Sequence, residues 1–336
     1  MHRISRDSLE SLASKINNKQ KLLLTGGTGF FGKSIIKFLI NLSKTHNANL
    51  DLTILSRSAS KFYENHKLYK YDWIDALDDD INDIKSNLGK YTHILHAATP
   101  SHNIENITPK QRYDFIINST EQLLNQLKSS QSILFVSSGD VYKSFNAVNS
   151  EQSSLNNSKD IDSFSYCLGK IKSETILANY CSSLNISFKI ARCFAFVGEF
   201  LPLDAHFAIG NFIGNCIKNE DIIINGDGKS IRSYMYQDDL AYWLIYLLLT
   251  QVKETVYNVG SSEGISIIDL AKKIKYLTQS NCEIKIKNVK QVGNRNYYVP
   301  DIAKASEDLN LIAWTSLDDA IVETFNFHEK IKKYSF

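Results

Sequence analysis

The chain has no excess of charge of either sign. Its 38 basic residues face 36 acidic ones, for a formal net charge of +2. So close a balance gives no general electrostatic argument for nucleic acid or for an anionic membrane surface. Long apolar runs are also missing: the longest, residues 240–249, has ten residues, where a spanning helix needs roughly 20. Residues 1–20 hold no apolar stretch of the kind a secretory leader requires, so none is expected. Cysteine is sparse. The five cysteines, at 167, 181, 193, 216 and 282, share no CxxC spacing and stand beside no histidine cluster. Neither a disulfide framework nor a metal site is expected from them. They read as reduced core thiols of a cytoplasmic protein.

Apolar material is plentiful. Hydrophobic residues make up 43%, with 17 Tyr and 17 Phe, which allows a sizeable core and excludes disorder of the whole chain. A length of 336 residues accommodates two compact units. Residues 1–20 read as a polar arm or extra helix. Strand patterns follow at 21–25, 50–56, 68–71, 92–97, 132–137 and 186–191, with helical spacing between most of them. Alternation of this kind predicts a parallel sheet with helices on both faces over residues 21–195. Residues 196–336 mix glycine-rich loops with shorter elements and read as a smaller mixed α/β lobe, with chain crossings between the two.

Gly26, Gly29 and Gly32 have GxxGxxG spacing between a strand and a helix. Small residues there let the backbone turn tightly and approach a pyrophosphate, which the helix N-terminus then faces with free N–H groups. Thr28, Phe30 and Phe31 belong to the same turn. The second strand ends in Ser56–Arg57 instead of an acidic residue. A carboxylate there would hold the ribose hydroxyls of NAD, whereas a hydroxyl and a guanidinium suit the 2′-phosphate of NADP. NADP is therefore expected, with NAD the alternative. Asp72, after the third strand pattern, is a candidate acceptor for the adenine amine.

Tyr166 and Lys170 have YxxxK spacing on a predicted helix, which puts phenol and amine on one face. A neighbouring cation is expected to lower the tyrosine pKa from about 10 and fit it for proton transfer. Ser138 closes a strand pattern at the sheet end where such folds place their chemistry and is expected to share the substrate oxygen with Tyr166.

The order GxxGxxG, HAA at 96–98, SSxxVY at 137–142 and YxxxK at 166–170 resembles the extended short-chain dehydrogenase/reductases. More narrowly, it is similar to their NAD(P)-dependent epimerase/dehydratase group, which acts on nucleotide sugars, over residues 21 to about 325. The resemblance implies a Rossmann domain for the cofactor, a C-terminal lobe for a nucleotide-diphosphate sugar, and a catalytic triad of Ser138, Tyr166 and Lys170. Lys170 would also hold the nicotinamide ribose. It further implies Ala97 and Ala98 at the cofactor, Thr99 and Asp140 at the substrate, and Asn118 supporting the active site. In the lobe it points to Asn211 near the nucleotide, Arg232 on the diphosphate and Asn258 in YNVG at 257–260, with Arg295 a displaced counterpart of a family arginine. Pairing of the helices near 111–128 and 164–184 in a homodimer comes from the same resemblance.

The group contains 4-epimerases, 4,6-dehydratases, decarboxylases and 4-ketoreductases. Its dehydratases usually carry an Asp–Glu pair where this chain has Gly139 and Asp140, so the acid position is empty. Together with Ser56–Arg57, this favours NADPH-dependent reduction of an NDP-4-keto-6-deoxyhexose. A 4-epimerase or dehydratase with retained NAD stays open, as does, more remotely, a cofactor-binding protein without turnover.

Overall fold

The computed structural model describes residues 1–48, 50–99, 106–127, 130–205, 207–252, 255–287 and 296–334. Helix α1 (Arg6–Lys15) is capped by Ser5 and buries Leu9 and Leu12. Strand β1 (Lys21–Thr25) runs through the glycine turn into α2 (Phe30–His46), and β2 (Asp51–Ser56), α3 (Ala59–Asn65) and β3 (Ile74–Asp78) follow. Next come β4 (His93–His96), α4 (Pro109–Gln126), β5 (Ser132–Ser138), α5 (Ile161–Leu184) and β6 (Ser187–Cys193). The remainder comprises β7 (Phe196–Val197), α6 (Ala208–Lys218), β8 (Ile222–Ile224), β9 (Ile231–Arg232), β10 (Met235–Tyr236) and α7 (Gln237–Leu249). It ends with β11 (Val256–Val259), β12 (Ile265–Ser266), α8 (Ile267–Leu277), β13 (Ile284–Ile286), β14 (Tyr297–Tyr298), α9 (Ala303–Leu309) and α10 (Leu317–Tyr334).

Two compact units result. The first combines Met1–Lys143, Ser154–Cys193 and Ala241–Tyr257, the second Ser144–Ser153, Phe194–Leu240 and Asn258–Phe336. Residues 1–20 thus belong to the first unit, where Tyr242 Oη donates to the carbonyl of Ser8 at 3.1 Å.

A seven-stranded sheet in the order β11-β6-β5-β4-β1-β2-β3 organises the first unit, and its pairings from β3 across to β6 are parallel. The chain winds outward from β1 in both directions, so this is a doubly wound Rossmann sheet. The winding reverses between β1 and β4, and ligands of such sheets bind beyond the strand C-termini at that reversal. Inner strands are apolar on both faces because helices cover both. Leu23, Ile94, Ile133, Phe135 and Ile190 pack with Leu123, Leu124 and Leu127 of α4 and Leu177 and Cys181 of α5. All five cysteines are free and buried. No helix among the described residues is long and apolar enough to cross a membrane.

The third strand differs from the expectation. Residues 68–70 form a 3₁₀ turn, and the strand is Ile74–Asp78. As the sheet's edge, β3 carries acids at its exposed positions, which hides its alternation. Asp72 therefore precedes the strand. The register pairs Leu52 with Ile74 and Ser56 with Asp78, which puts Asp72 at the end of the sheet away from the glycine turn. Its assignment to adenine is corrected on that ground.

Candidate active site

The glycine turn is built by close backbone approach. Gly26 has φ +73°, and a Cβ on it would meet the backbone of Ala97 and Ala98 at 2.9 Å. Gly29 donates to the carbonyl of Gly26 at 3.1 Å and stands at the N-cap of α2 with no side-chain capping bond. A Cβ on Gly32 would collide with the backbone of Gly27. The first turn of α2 thus presents N–H groups and the positive end of its dipole where no side chain fills the space, which fits a pyrophosphate. Gly27, a glycine the spacing argument passed over, completes this packing against Ile54. Thr28, Phe30 and Phe31 are half-buried around it, the two rings edge to face at 5.8 Å.

Thr25 and His96, at the ends of β1 and β4, fix the opposite wall. Thr25 Oγ1 lies 2.8 Å from His96 Nδ1 and accepts from the N–H of Ala98 at 3.2 Å. Burial, with Lys170 adding to it, pushes the His96 pKa down to about 3, so the ring is a neutral bracket at physiological pH. At the end of β2, Ser56 Oγ accepts from the N–H of Ser58 at 3.3 Å and Arg57 is exposed. Asp78, level with Ser56, accepts from the N–H of Ser60 at 2.9 Å, a bond that holds its carboxyl below the usual range.

Ser138 ends β5 and accepts from the N–H of Asp140 at 3.2 Å. Asp160 caps α5, which departs from helical geometry at Phe164 (φ −128°, ψ 23°) just before Tyr166. Lys170 is 2% exposed. Its Nζ donates to Thr99 Oγ1 at 2.8 Å and to the carbonyl of Val136 at 2.7 Å, and lies 5.8 Å from the centre of the Tyr166 ring.

The expected acidification of Tyr166 is overturned. Burial and the Asp140 carboxylate push its pKa up to about 12, against a hydrogen bond with Ser138 and the charge of Arg112. Removing a phenolate from water outweighs its favourable neighbours, while the lysine's amine is turned to Thr99 and Val136. Burial likewise pushes Lys170 down to about 7.

A depressed lysine pKa makes the protonated form costly in the fold. The cost is complete below pH 7 and fades as pH rises towards the ordinary lysine value. Lys170→Met is therefore expected to abolish turnover yet raise stability at pH 6 by roughly 2 kcal/mol, the ~5 kcal/mol cost of the charge less the hydrogen bonds given up to Thr99 and Val136. Most of that gain should vanish by about pH 10. Melting temperatures at the two pH values check this; equal shifts would refute it.

Two residues that sequence reasoning missed stand behind the triad. Glu174 accepts from Ser137 Oγ at 2.5 Å and from Arg192 Nη2 at 2.7 Å and Nε at 3.2 Å. Arg192 Nη1 donates to Tyr142 Oη at 3.3 Å. Both charged side chains are under 8% exposed. Glu174 lies one helical turn after Lys170, and that i,i+4 relation was the available signal.

Other sequence-derived candidates separate. Asn118 is exposed on α4, beside the buried Ser119 and Thr120. Its supporting role is corrected, because α4 turns that position to the surface. In the second unit Arg232 stands on β9, with its guanidinium 5.9 Å from the Tyr298 ring centre and Nη1 donating to the carbonyl of Ile231 at 2.8 Å. Asn211 is half-buried in the first turn of α6. Asn258 is fully buried. Its Nδ2 donates to the carbonyls of Asn149 at 2.9 Å and Asp301 at 3.0 Å, and its N–H donates to Glu151 at 2.7 Å. With both amide hydrogens spent on the protein, Asn258 is a structural tie, and its assignment to substrate is corrected. Arg295 lies outside the described residues.

A glycine turn at the winding reversal, beside a Ser–Tyr–Lys set, defines a dinucleotide-dependent enzyme of the Rossmann class. The chain belongs to the NAD dependent epimerase/dehydratase family, whose model matches residues 22–260. It is 26% identical over 313 residues to the dTDP-4-dehydro-6-deoxyglucose reductase of Escherichia coli, covering 90% of this chain and 96% of that one. It is likewise 26% identical over 357 residues to the UDP-glucose 4-epimerase of Mycoplasma genitalium, covering 94% and 98%. A crystal structure of UDP-glucuronic acid 4-epimerase from Bacillus cereus, in complex with UDP-glucuronic acid and NAD, shares the fold. Its TM-score is 0.78 at 21% identity, over 93% of this chain and all of the other.

Proposed function

We propose that this enzyme reduces the 4-keto group of an NDP-4-keto-6-deoxyhexose with NADPH. The observation that carries the reading is the exposed Arg57 just beyond β2, which suits the 2′-phosphate of a consumed NADPH. Tyr166 supports it: its phenol is hydrogen-bonded to Ser138, and burial with Asp140 pushes its pKa up to about 12. Ketone reduction needs a proton donor at that position. When bound, the nicotinamide supplies the hydride. Tyr166 gives its proton to the new alkoxide oxygen, which Ser138 holds, so one hydride and one proton convert C=O to CH–OH. Lys170, tied to Thr99 and Val136, keeps the helix face of the triad in register. Buried Gly139 offers no acid for expelling a second hydroxyl, which argues against dehydration. Arg232 is the candidate grip on the substrate diphosphate. A homodimer and a cytoplasmic location complete the proposal.

The purified enzyme with dTDP- or CDP-4-keto-6-deoxyglucose should consume NADPH in step with product, followed by its absorbance. Product without net loss of NADPH would overturn the reading. Arg57→Ala should weaken NADPH by about 10- to 100-fold, the worth of hydrogen bonds to a charged phosphate. NADH should change less than about threefold, because it lacks that phosphate. Equal losses for both cofactors would remove Arg57 from the site.

A second reading, a 4-epimerase with retained NAD, is favoured by one feature. Asp78 sets a carboxylate level with Ser56, where negative charge repels a 2′-phosphate. Conversion between C4 epimers with no added cofactor would select it.

A further inference from the structure

The Tyr166 ring is faced from four elements. Asp140 approaches from the turn after β5 and Ser138 from the strand itself; Cys193 comes from the end of β6, and Arg112 from α4. Lys170 lies on the tyrosine's own helix. Of the two cations at the ring Arg112 is nearer: its guanidinium carbon is 4.6 Å from the ring centre, against 5.8 Å for the lysine nitrogen. Thr108 and Gln111 form a capping box at the start of α4, with Pro109 in its first turn, so Arg112 projects from an anchored helix end. A guanidinium lying against an aromatic ring is attracted to its electron-rich face, and it stays charged at every working pH.

We propose that Arg112 is the positioning residue for Tyr166: from α4 it holds the phenol ring in place and supplies the lasting positive charge that a phenolate needs once its proton has been given up. Lys170 is less suited to this role. Its hydrogen bonds run to Thr99 and Val136, and its own charge is lost above about pH 7. Asp140 disfavours the phenolate and Arg112 favours it, so the two charges together set how readily the phenol ionises. This rests on Tyr166 being the proton-transfer group, and not on which sugar is bound.

The test reads ionisation directly. A trifluorinated tyrosine, whose phenol ionises several pH units below that of tyrosine, placed at position 166 of the full chain and saturated with NAD⁺ without substrate, reports its ionisation midpoint by fluorine NMR. Arg112→Gln should raise that midpoint by about one pH unit, a tenfold change in the ionisation constant, from loss of a charge about 5 Å away. Arg112→Lys, which keeps the charge, should raise it by less than half as much. Arg112→Ala gives the same reading if the glutamine variant does not fold. A midpoint unmoved in the neutral variants, or moved equally by Lys and Gln, overturns the proposal. Failure of the reductase reading leaves this midpoint where it is, because no substrate is present.

Discussion

Tyr166→Phe lowers turnover by about three orders of magnitude, the loss expected for a positioned general acid, while NAD⁺ and NADPH bind as before. The change removes one oxygen and leaves the ring under Arg112, so the cation–ring contact at 4.6 Å and the glycine turn are untouched. Steady-state rates and cofactor fluorescence titrations measure the two halves of this outcome separately. Turnover within about tenfold of the parent would place proton transfer on another group. Lost cofactor binding would mean that the hydroxyl also organises the turn.

Glu174→Ala has the largest expected effect on stability. It strands the Arg192 guanidinium, 6% exposed in its side chain, without its carboxylate, and removes the acceptor of Ser137 Oγ. Breaking a buried pair from one side costs about 3–5 kcal/mol because the surviving charge stays desolvated. Removing both charges is far milder. Glu174→Met with Arg192→Met should therefore recover more than half of the loss. Urea unfolding of the three variants decides it. A single-variant cost below about 1 kcal/mol would show that water reaches Arg192 when Glu174 is gone.

Much of this architecture was legible in the residues. A phosphate cradle demands small residues at fixed spacing between a buried strand and a helix, so β1, the glycines and α2 announce themselves. Tyr166 and Lys170 are four apart and share a helix face by geometry alone. What escaped depends on partners distant in the chain. Lys170 was read as the neighbour that acidifies Tyr166, but its amine is drawn to Thr99 and to Val136, more than thirty residues away in either case. Asn258 looked like a ligand-binding amide until the segment at 144–153 and the stretch near Asp301 turned out to claim it. Asp72 was misplaced because an edge strand carrying acids resembles a loop, whereas the segment 68–71, with Leu68, Tyr69 and Tyr71, resembles a strand. Arg112 gave no signal, since one arginine in a helix is ordinarily solvated.

The late return of Ala241–Tyr257 to the first unit governs how this chain can be made. A nascent polypeptide that has emerged only through β6 lacks α7's buried Leu244, Ile245 and Leu248. It also lacks the Thr255 carbonyl that takes the Ile190 N–H at 2.7 Å. Until some sixty further residues leave the ribosome, β6 is an edge with unpaired backbone groups, open to association with other chains. A gene split at residue 195 would therefore yield six of the seven strands with one edge left open, in place of a free-standing cofactor module.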